Sequence, residues 1–176
     1  CLESSIENRY MGKQLKTGDK FGSYELIKSL GQGGMAEVFL AKHRGIGGFQ
    51  RLVALKVIHP THSEDLQFVE SLAEEAKIAV QLNHASVGQV FDLGKIDSIY
   101  FIVMEFIDGK DLYRVLYESS QQNKQIPVAI ALYVAEQVAL GLAYCHDRRD
   151  HYGRAMKLVH RDVSPQNVFL SWTGDV

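Results

Sequence analysis

Residues 160–167 read HRDVSPQN, and two of them could do chemistry together. The carboxylate of Asp162 can accept a proton from a hydroxyl, and the amide oxygen of Asn167, five residues on, can ligate a hard metal ion. A polar turn that happens to contain both residues is the alternative reading. The test is whether the rest of the chain supplies, in order and on suitable elements, the other parts that such a loop needs.

A second candidate is LGQGGMAEVF at 30–39, whose glycines 31, 33 and 34 would let backbone N–H groups close over phosphate oxygens with no Cβ in the way. A glycine-rich hairpin turn without a ligand fits the same string. A dinucleotide fingerprint would need a helix next and an acid about twenty positions on. Here Val38-Phe39-Leu40 reads as a strand, and 51–56 holds no acid. A Walker loop would need Gly-Lys-Ser/Thr, which the chain lacks.

Lys56 ends VALK in the next strand-like run, where alternation puts Val53 and Leu55 on one side and Ala54 and Lys56 on the other. A strand lysine is ordinarily solvent-facing. The small Ala54 beside it, however, leaves room for a flat base, with the ammonium reaching phosphates. A carboxylate would hold such a lysine, and the following helix offers Glu74 and Glu75. Glu75 falls on the apolar stripe of Leu72, Ala76, Ala79 and Leu82, whereas Glu74 falls with Glu70, Lys77, Ile78 and Gln81. An inward carboxylate is costly unless paired, so Glu75 is predicted to pair with Lys56.

These residues need elements to carry them. Strand-like runs at 24–30, 37–42 and 52–58 suggest an antiparallel meander, and a helical period follows over 65–82. A strand pair is predicted at 89–93 and 98–106 about a turn at 95–97, then helices near 111–118 and 128–146, the latter with Pro127 in its first turn. Residues 147–157 read as a loop. The expected organisation is a flank over 1–20, a sheet-rich lobe over 21–107 and a helical lobe over 108–176, with the change at 108 a natural place for a cleft.

Composition fits. The 176 residues are 46% hydrophobic and 23% charged, enough for one core or two small lobes. A formal charge of −2 argues against a nucleic-acid groove or a polybasic membrane patch. Cys1 and Cys145 form no CxxC pair, which fits a reducing compartment, with Cys145 a core residue. The apolar stretch 129–144, broken by Glu136 and Gln137, falls short of a spanning helix, and the N-terminus has no signal-like apolar region. The visible chain therefore reads as cytoplasmic with no membrane segment. It opens on Cys1 rather than Met, and the turn-like Thr173-Gly174-Asp175 after 168–170 has no second strand, so it reads as a fragment.

GQGGMAEVF, VALKVI, EEAKIAVQLNH, IVMEFIDGKDL and HRDVSPQNVFL, in this order and spacing, resemble the protein-kinase catalytic domain, nearest to bacterial serine/threonine kinases of eukaryotic (Hanks) type, over about 24–176. The resemblance implies an α+β, two-lobe fold: an antiparallel N-lobe sheet with one main helix, and the start of a mainly helical C-lobe. It implies transfer of the ATP γ-phosphate to protein Ser/Thr hydroxyls with Mg2+, and a dimer for trans-phosphorylation. Asp162 would be the base, Asn167 the metal ligand, Lys56 the contact to the α- and β-phosphates, and Glu75 its orienter. Leu30, Gly31, Gly33 and Gly34 would cover the nucleotide. Val38 and Ala54 would pack above adenine and Phe169 below, with Met104 at the back of the pocket. Backbone groups of Glu105 and Ile107 would bond the adenine edge, and Asp111 the ribose. His160 would be a packed structural residue, and Arg161 would pair with an activation-loop phosphate.

Three departures bear on this resemblance. Ala36 replaces the third loop glycine, and Ser164 stands where serine/threonine kinases usually carry a lysine near the γ-phosphate. No Asp-Phe-Gly occurs in the 176 residues, so the principal magnesium ligand is missing and the chain alone is expected to transfer no phosphate. A pseudokinase or nucleotide-binding regulatory module is the alternative function. A small-molecule kinase on the same fold is a third. The protein substrate, the upstream signal and the activation-loop phosphosite are not encoded in these residues.

Overall fold

The structure, a computed structural model, describes residues 15–150 and 152–176. Most of the expected flank, residues 1–14, lies outside the described residues. The chain divides into two compact units, one of Cys1–Gln81 and Gln89–Phe106, the other of Leu82–Gly88 and Ile107–Val176.

The first unit is built on a six-stranded antiparallel sheet. Its strands are β1 (Lys20–Phe21), β2 (Tyr24–Gln32), β3 (Ala36–Arg44), β4 (Gln50–Ile58), β5 (Val90–Ile96) and β6 (Ile99–Glu105), in spatial order β1-β2-β3-β4-β6-β5. Period-two alternation sorts the side chains. Phe39 and Ala41, Val53, Leu55 and Val57, and Phe101 and Val103 share one face, and with Phe21, Leu26 and Ile99 they form the main core. Phe21 meets Phe101 edge to face at 5.3 Å. Gly94 makes room for that ring, since a Cβ there would lie 2.3 Å from it.

The opposite face carries a smaller cluster of Ala36 and Ile58 with Leu72 of the helix α2 (Leu66–Ala79). Asp65 caps α2 by accepting from the backbone N–H groups of Gln67 and Phe68, an arrangement worth about 1 kcal/mol. The predicted helix runs three residues too far, because Leu82 already belongs to the second unit. β1 begins inside the expected flank, and the one-turn helix α1 (Pro60–Ser63) was not foreseen. Neither is long enough to show a period.

In the second unit a two-stranded sheet of β7 (Gly109–Asp111) and β8 (Phe169–Ser171) accompanies the helices α3 (Leu112–Gln121) and α4 (Val128–His146). Pro127 is the residue before α4, with ψ of 136°, rather than part of its first turn. Segment 82–88 joins this unit through α4. His84 stacks on Tyr144, the Asn83 N–H donates to the Tyr144 hydroxyl at 2.9 Å, and Ser86 Oγ donates to Gln137 at 3.1 Å. Gly141 permits the approach, because a Cβ there would lie 2.6 Å from the Ser86 carbonyl oxygen. Cys145 is half-buried rather than fully in a core.

α4 corrects one expectation. By length and composition it is long and apolar enough to cross a bilayer, since the helix extends beyond 129–144 and Glu136 alone does not offset its apolar residues.

Candidate functional site

The first unit gathers several of the predicted residues on the sheet face opposite the main core. Across the ladder Val38 pairs with Lys56 and Lys56 with Ile102, while Leu40 pairs with Ala54 and Ala54 with Met104. Directly paired residues share a face, as do residues two apart, so Val38, Ala54, Lys56 and Met104 lie together. Ala54 is buried, and Val38, Lys56 and Met104 are half-buried.

Gly31 pairs with Val38, which sets the glycine loop at the end of this face. Leu30, Gly31, Gly33 and Gly34 are all exposed. Nothing in the chain itself demands glycine here. A Cβ at Gly31 or Gly34 would meet nothing within 4 Å, and one at Gly33 only the Ala36 carbonyl oxygen at 3.8 Å. None of the three has positive φ. The glycines leave bare backbone on an open surface, which suits close approach by another molecule.

Glu105 uses its backbone N–H to donate to Gln89 O at 2.8 Å, and its carboxylate accepts from the Gln89 N–H. Glu75 departs from the sequence reading. Leu72 and Ala76 are buried as the stripe requires, yet Glu75 is exposed, and among the described residues neither it nor Lys56 takes part in an ion pair. A glutamate at the margin of a stripe can turn its flexible side chain to water, which removes the desolvation cost that the pairing argument assumed.

The second unit holds the remaining candidates. Asp111 ends β7 and caps α3, its Oδ1 accepting from the Arg114 N–H at 2.8 Å. It also pairs with Phe169 across the β7–β8 ladder, and Phe169 is 42% exposed. Ile107 is half-buried. The loop before β8 is shaped by Arg161 at φ 64° and by a 3-10 turn, Pro165–Asn167, closed by the Asn167 N–H on Ser164 O at 2.9 Å.

Within that loop Asn167 Nδ2 donates to the Asp162 carboxylate at 2.8 Å and to its carbonyl at 3.0 Å. One oxygen of an exposed carboxylate is thereby oriented, and the other stays open to a proton donor. Because its N–H groups face Asp162, the Asn167 amide keeps Oδ1 as a neutral oxygen of the kind Mg2+ accepts. His160 is exposed rather than packed, and its Nδ1 accepts from the Asp162 N–H at 3.3 Å. Its role here is local, in shaping the turn.

Residues 24–176 match the family model described as the protein kinase domain. The chain is 36% identical over 156 residues to the tyrosine-protein kinase MasK of Myxococcus xanthus, covering 89% of this chain and 24% of that protein. It is 31% identical to the serine/threonine-protein kinase PrkC of Bacillus subtilis, covering 88% of this chain and 22% of that protein. Among solved structures it is similar to the PknI kinase domain of Mycobacterium tuberculosis, with a TM-score of 0.70 and 31% identity over 92% of this chain and 60% of that one. The chain thus spans about a quarter of the length of these two curated relatives.

Proposed function

The chain belongs to the protein kinase domain family, and we propose that it is part of a serine/threonine protein kinase that moves the γ-phosphate of ATP to protein hydroxyls. The observation that carries this reading is the exposed Asp162 carboxylate oriented by Asn167. In the proposed reaction the substrate hydroxyl oxygen bonds to the γ-phosphorus, the bond to the β–γ bridging oxygen breaks, and ADP departs. Asp162 accepts the hydroxyl proton.

Lys56, on the face that also bears Val38 and Ala54, would hold the α- and β-phosphates, and Glu75 would orient it once the nucleotide is in place. Asn167 Oδ1 fits as one ligand of a Mg2+ ion, which when bound would offset charge on the β- and γ-phosphates. The 176 residues contain no Asp-Phe-Gly to supply the principal ligand, so the reading assigns activity to the parent protein and not to this segment alone. The cysteine usage favours a cytoplasmic setting.

The name of the relative MasK supports a second reading, in which the acceptor is a tyrosine. The names of relatives such as PrkC favour serine or threonine. The test is phosphoamino-acid analysis of substrate labelled by the parent kinase, beside an Asp162→Asn variant. Phosphoserine or phosphothreonine that falls about 10²-fold or more in the variant supports the proposal. Phosphotyrosine selects the second reading. MgATP binding with no Asp162-dependent labelling selects a regulatory nucleotide-binding module.

A further inference from the structure

Two imidazoles that the sequence reading did not single out hold the tip of the glycine loop. His59, just before α1, places Nε2 3.0 Å from the carbonyl oxygen of Gly33, and its backbone N–H donates to Met35 O at 2.9 Å. His62, inside α1, places Nε2 3.3 Å from Gly34 O. A carbonyl oxygen only accepts, so Nε2 is the donor in each of these contacts. Gly33 N–H closes the turn on Ala36 O at 2.9 Å. Four successive carbonyls, 33 to 36, are therefore engaged.

Peptide planarity turns these bonds into directions. In a trans peptide the carbonyl and the following N–H point opposite ways, and the described chain has no cis bond. Holding Gly33 O toward His59 aims the Gly34 N–H away from that ring. Holding Gly34 O toward His62 aims the Met35 N–H away from the second. Neither N–H meets an acceptor among the described residues. Successive backbone N–H groups left open in this way suit an anion. The clamp is also braced, because the His62 ring lies 5.3 Å from Phe68, which packs on the cluster under α2.

Building on the kinase reading above, we propose that His59 and His62 are positioning residues that hold the glycine-loop carbonyls, so that the Gly34 and Met35 N–H groups are presented to nucleotide phosphates. The two histidines do not themselves touch the nucleotide. Their contribution is to pre-orient a loop whose glycines would otherwise sample many conformations.

The test measures ATP and adenosine affinity in the parent kinase, together with amide hydrogen exchange of the 31–36 loop without nucleotide. In a His59→Ala/His62→Ala variant, ATP affinity is expected to fall about five- to fiftyfold for two lost hydrogen bonds. Adenosine, which has no phosphates, should bind as before, and the loop amides should exchange faster. His59→Gln/His62→Gln keeps an N–H donor at each position and should restore most of the loss. Should the double alanine variant not fold, His62→Ala alone is expected to show the same pattern at smaller size. ATP affinity within about twofold of wild type with unchanged loop exchange, or equal losses for ATP and adenosine, overturns the proposal. A wild-type protein with no ATP affinity overturns the kinase reading and this inference with it.

Discussion

Asn167 and Asp162 hold one another on a single short loop, the amide of one donating to both the carboxylate and the carbonyl of the other. A candidate metal ligand and a candidate base are thus set by the same two hydrogen bonds. In the parent kinase, Asn167→Ala is expected to raise the magnesium concentration for half-maximal rate by about tenfold or more. Both residues are exposed, so the cost in stability should stay under about 1.5 kcal/mol. Magnesium titrations and thermal melts of the two proteins would decide it, and an unchanged magnesium requirement would remove Asn167 from the metal site.

Lys56 and Glu75 make the opposite case, since they are assigned to one function but form no ion pair here. A residue that is exposed and unpaired contributes little to folding, so Glu75→Gln should change stability by no more than about 0.5 kcal/mol. Phosphoryl transfer by the parent kinase should nevertheless fall about 10²-fold if Glu75 orients Lys56 when the site is loaded. A variant as active as wild type would mean that another group holds the lysine.

Two glycines should separate folding from binding. At Gly94 a Cβ would intrude to 2.3 Å on the Phe101 ring within the main core, so Gly94→Ala is expected to destabilise by about 1–3 kcal/mol. At Gly34 a Cβ meets nothing within 4 Å, so Gly34→Ala should leave the melting temperature nearly unchanged while weakening ATP binding. Denaturant melts paired with nucleotide titrations test both. Equal ATP affinity in the Gly34 variant would show that nothing approaches that backbone closely.

The carboxylate of Glu118 accepts hydrogen bonds from Lys110 and Arg114, and these bonds, with the charges behind them, hold its pKa below the usual 4.5. A group whose folded pKa is depressed stabilises above its unfolded value, and that contribution is lost as pH falls through the folded value. Wild type and Glu118→Gln should therefore differ most above the usual carboxylate value, as at neutral pH, and converge only as pH falls through the depressed folded value. The site is open to water, so the difference should shrink in high salt. Melting temperatures followed from pH 7 to 3 would reveal a parallel shift instead if Glu118 acted through packing.

The parts of the fold that the sequence announces are those with a sustained period. Val53 and Leu55 against Ala54 and Lys56 could be assigned to opposite faces because a strand allows only two; α4 was legible instead from its length, an apolar stretch over 129–144 interrupted only by Glu136 and Gln137 after Pro127. The candidate loop at 160–167 was legible for a different reason. Its residue types lie within five positions of each other, so local geometry alone brings Asn167 to Asp162.

Whatever depends on distant segments was settled only in three dimensions. That 82–88 joins the second unit follows from Tyr144, Gln137 and the bare backbone of Gly141, about fifty or more positions away, and no local pattern at 82–88 encodes it. The histidine clamp is equally hidden, because His59 and His62 sit 26 and 28 positions from the carbonyls they hold. Glu75 shows the limit of periodicity, which places a Cα on a stripe and leaves the direction of a long side chain to competition between water and a partner. The amino-acid sequence alone carried strands β2 to β6, the main helices and the Asp162–Asn167 loop, since each is a local preference of the backbone, whereas the short β1 and β7 have no period to read. The tertiary structure alone decided which segments share a unit, which way Glu75 turns and what holds the glycine loop, since each is an energy that exists only once remote residues have met.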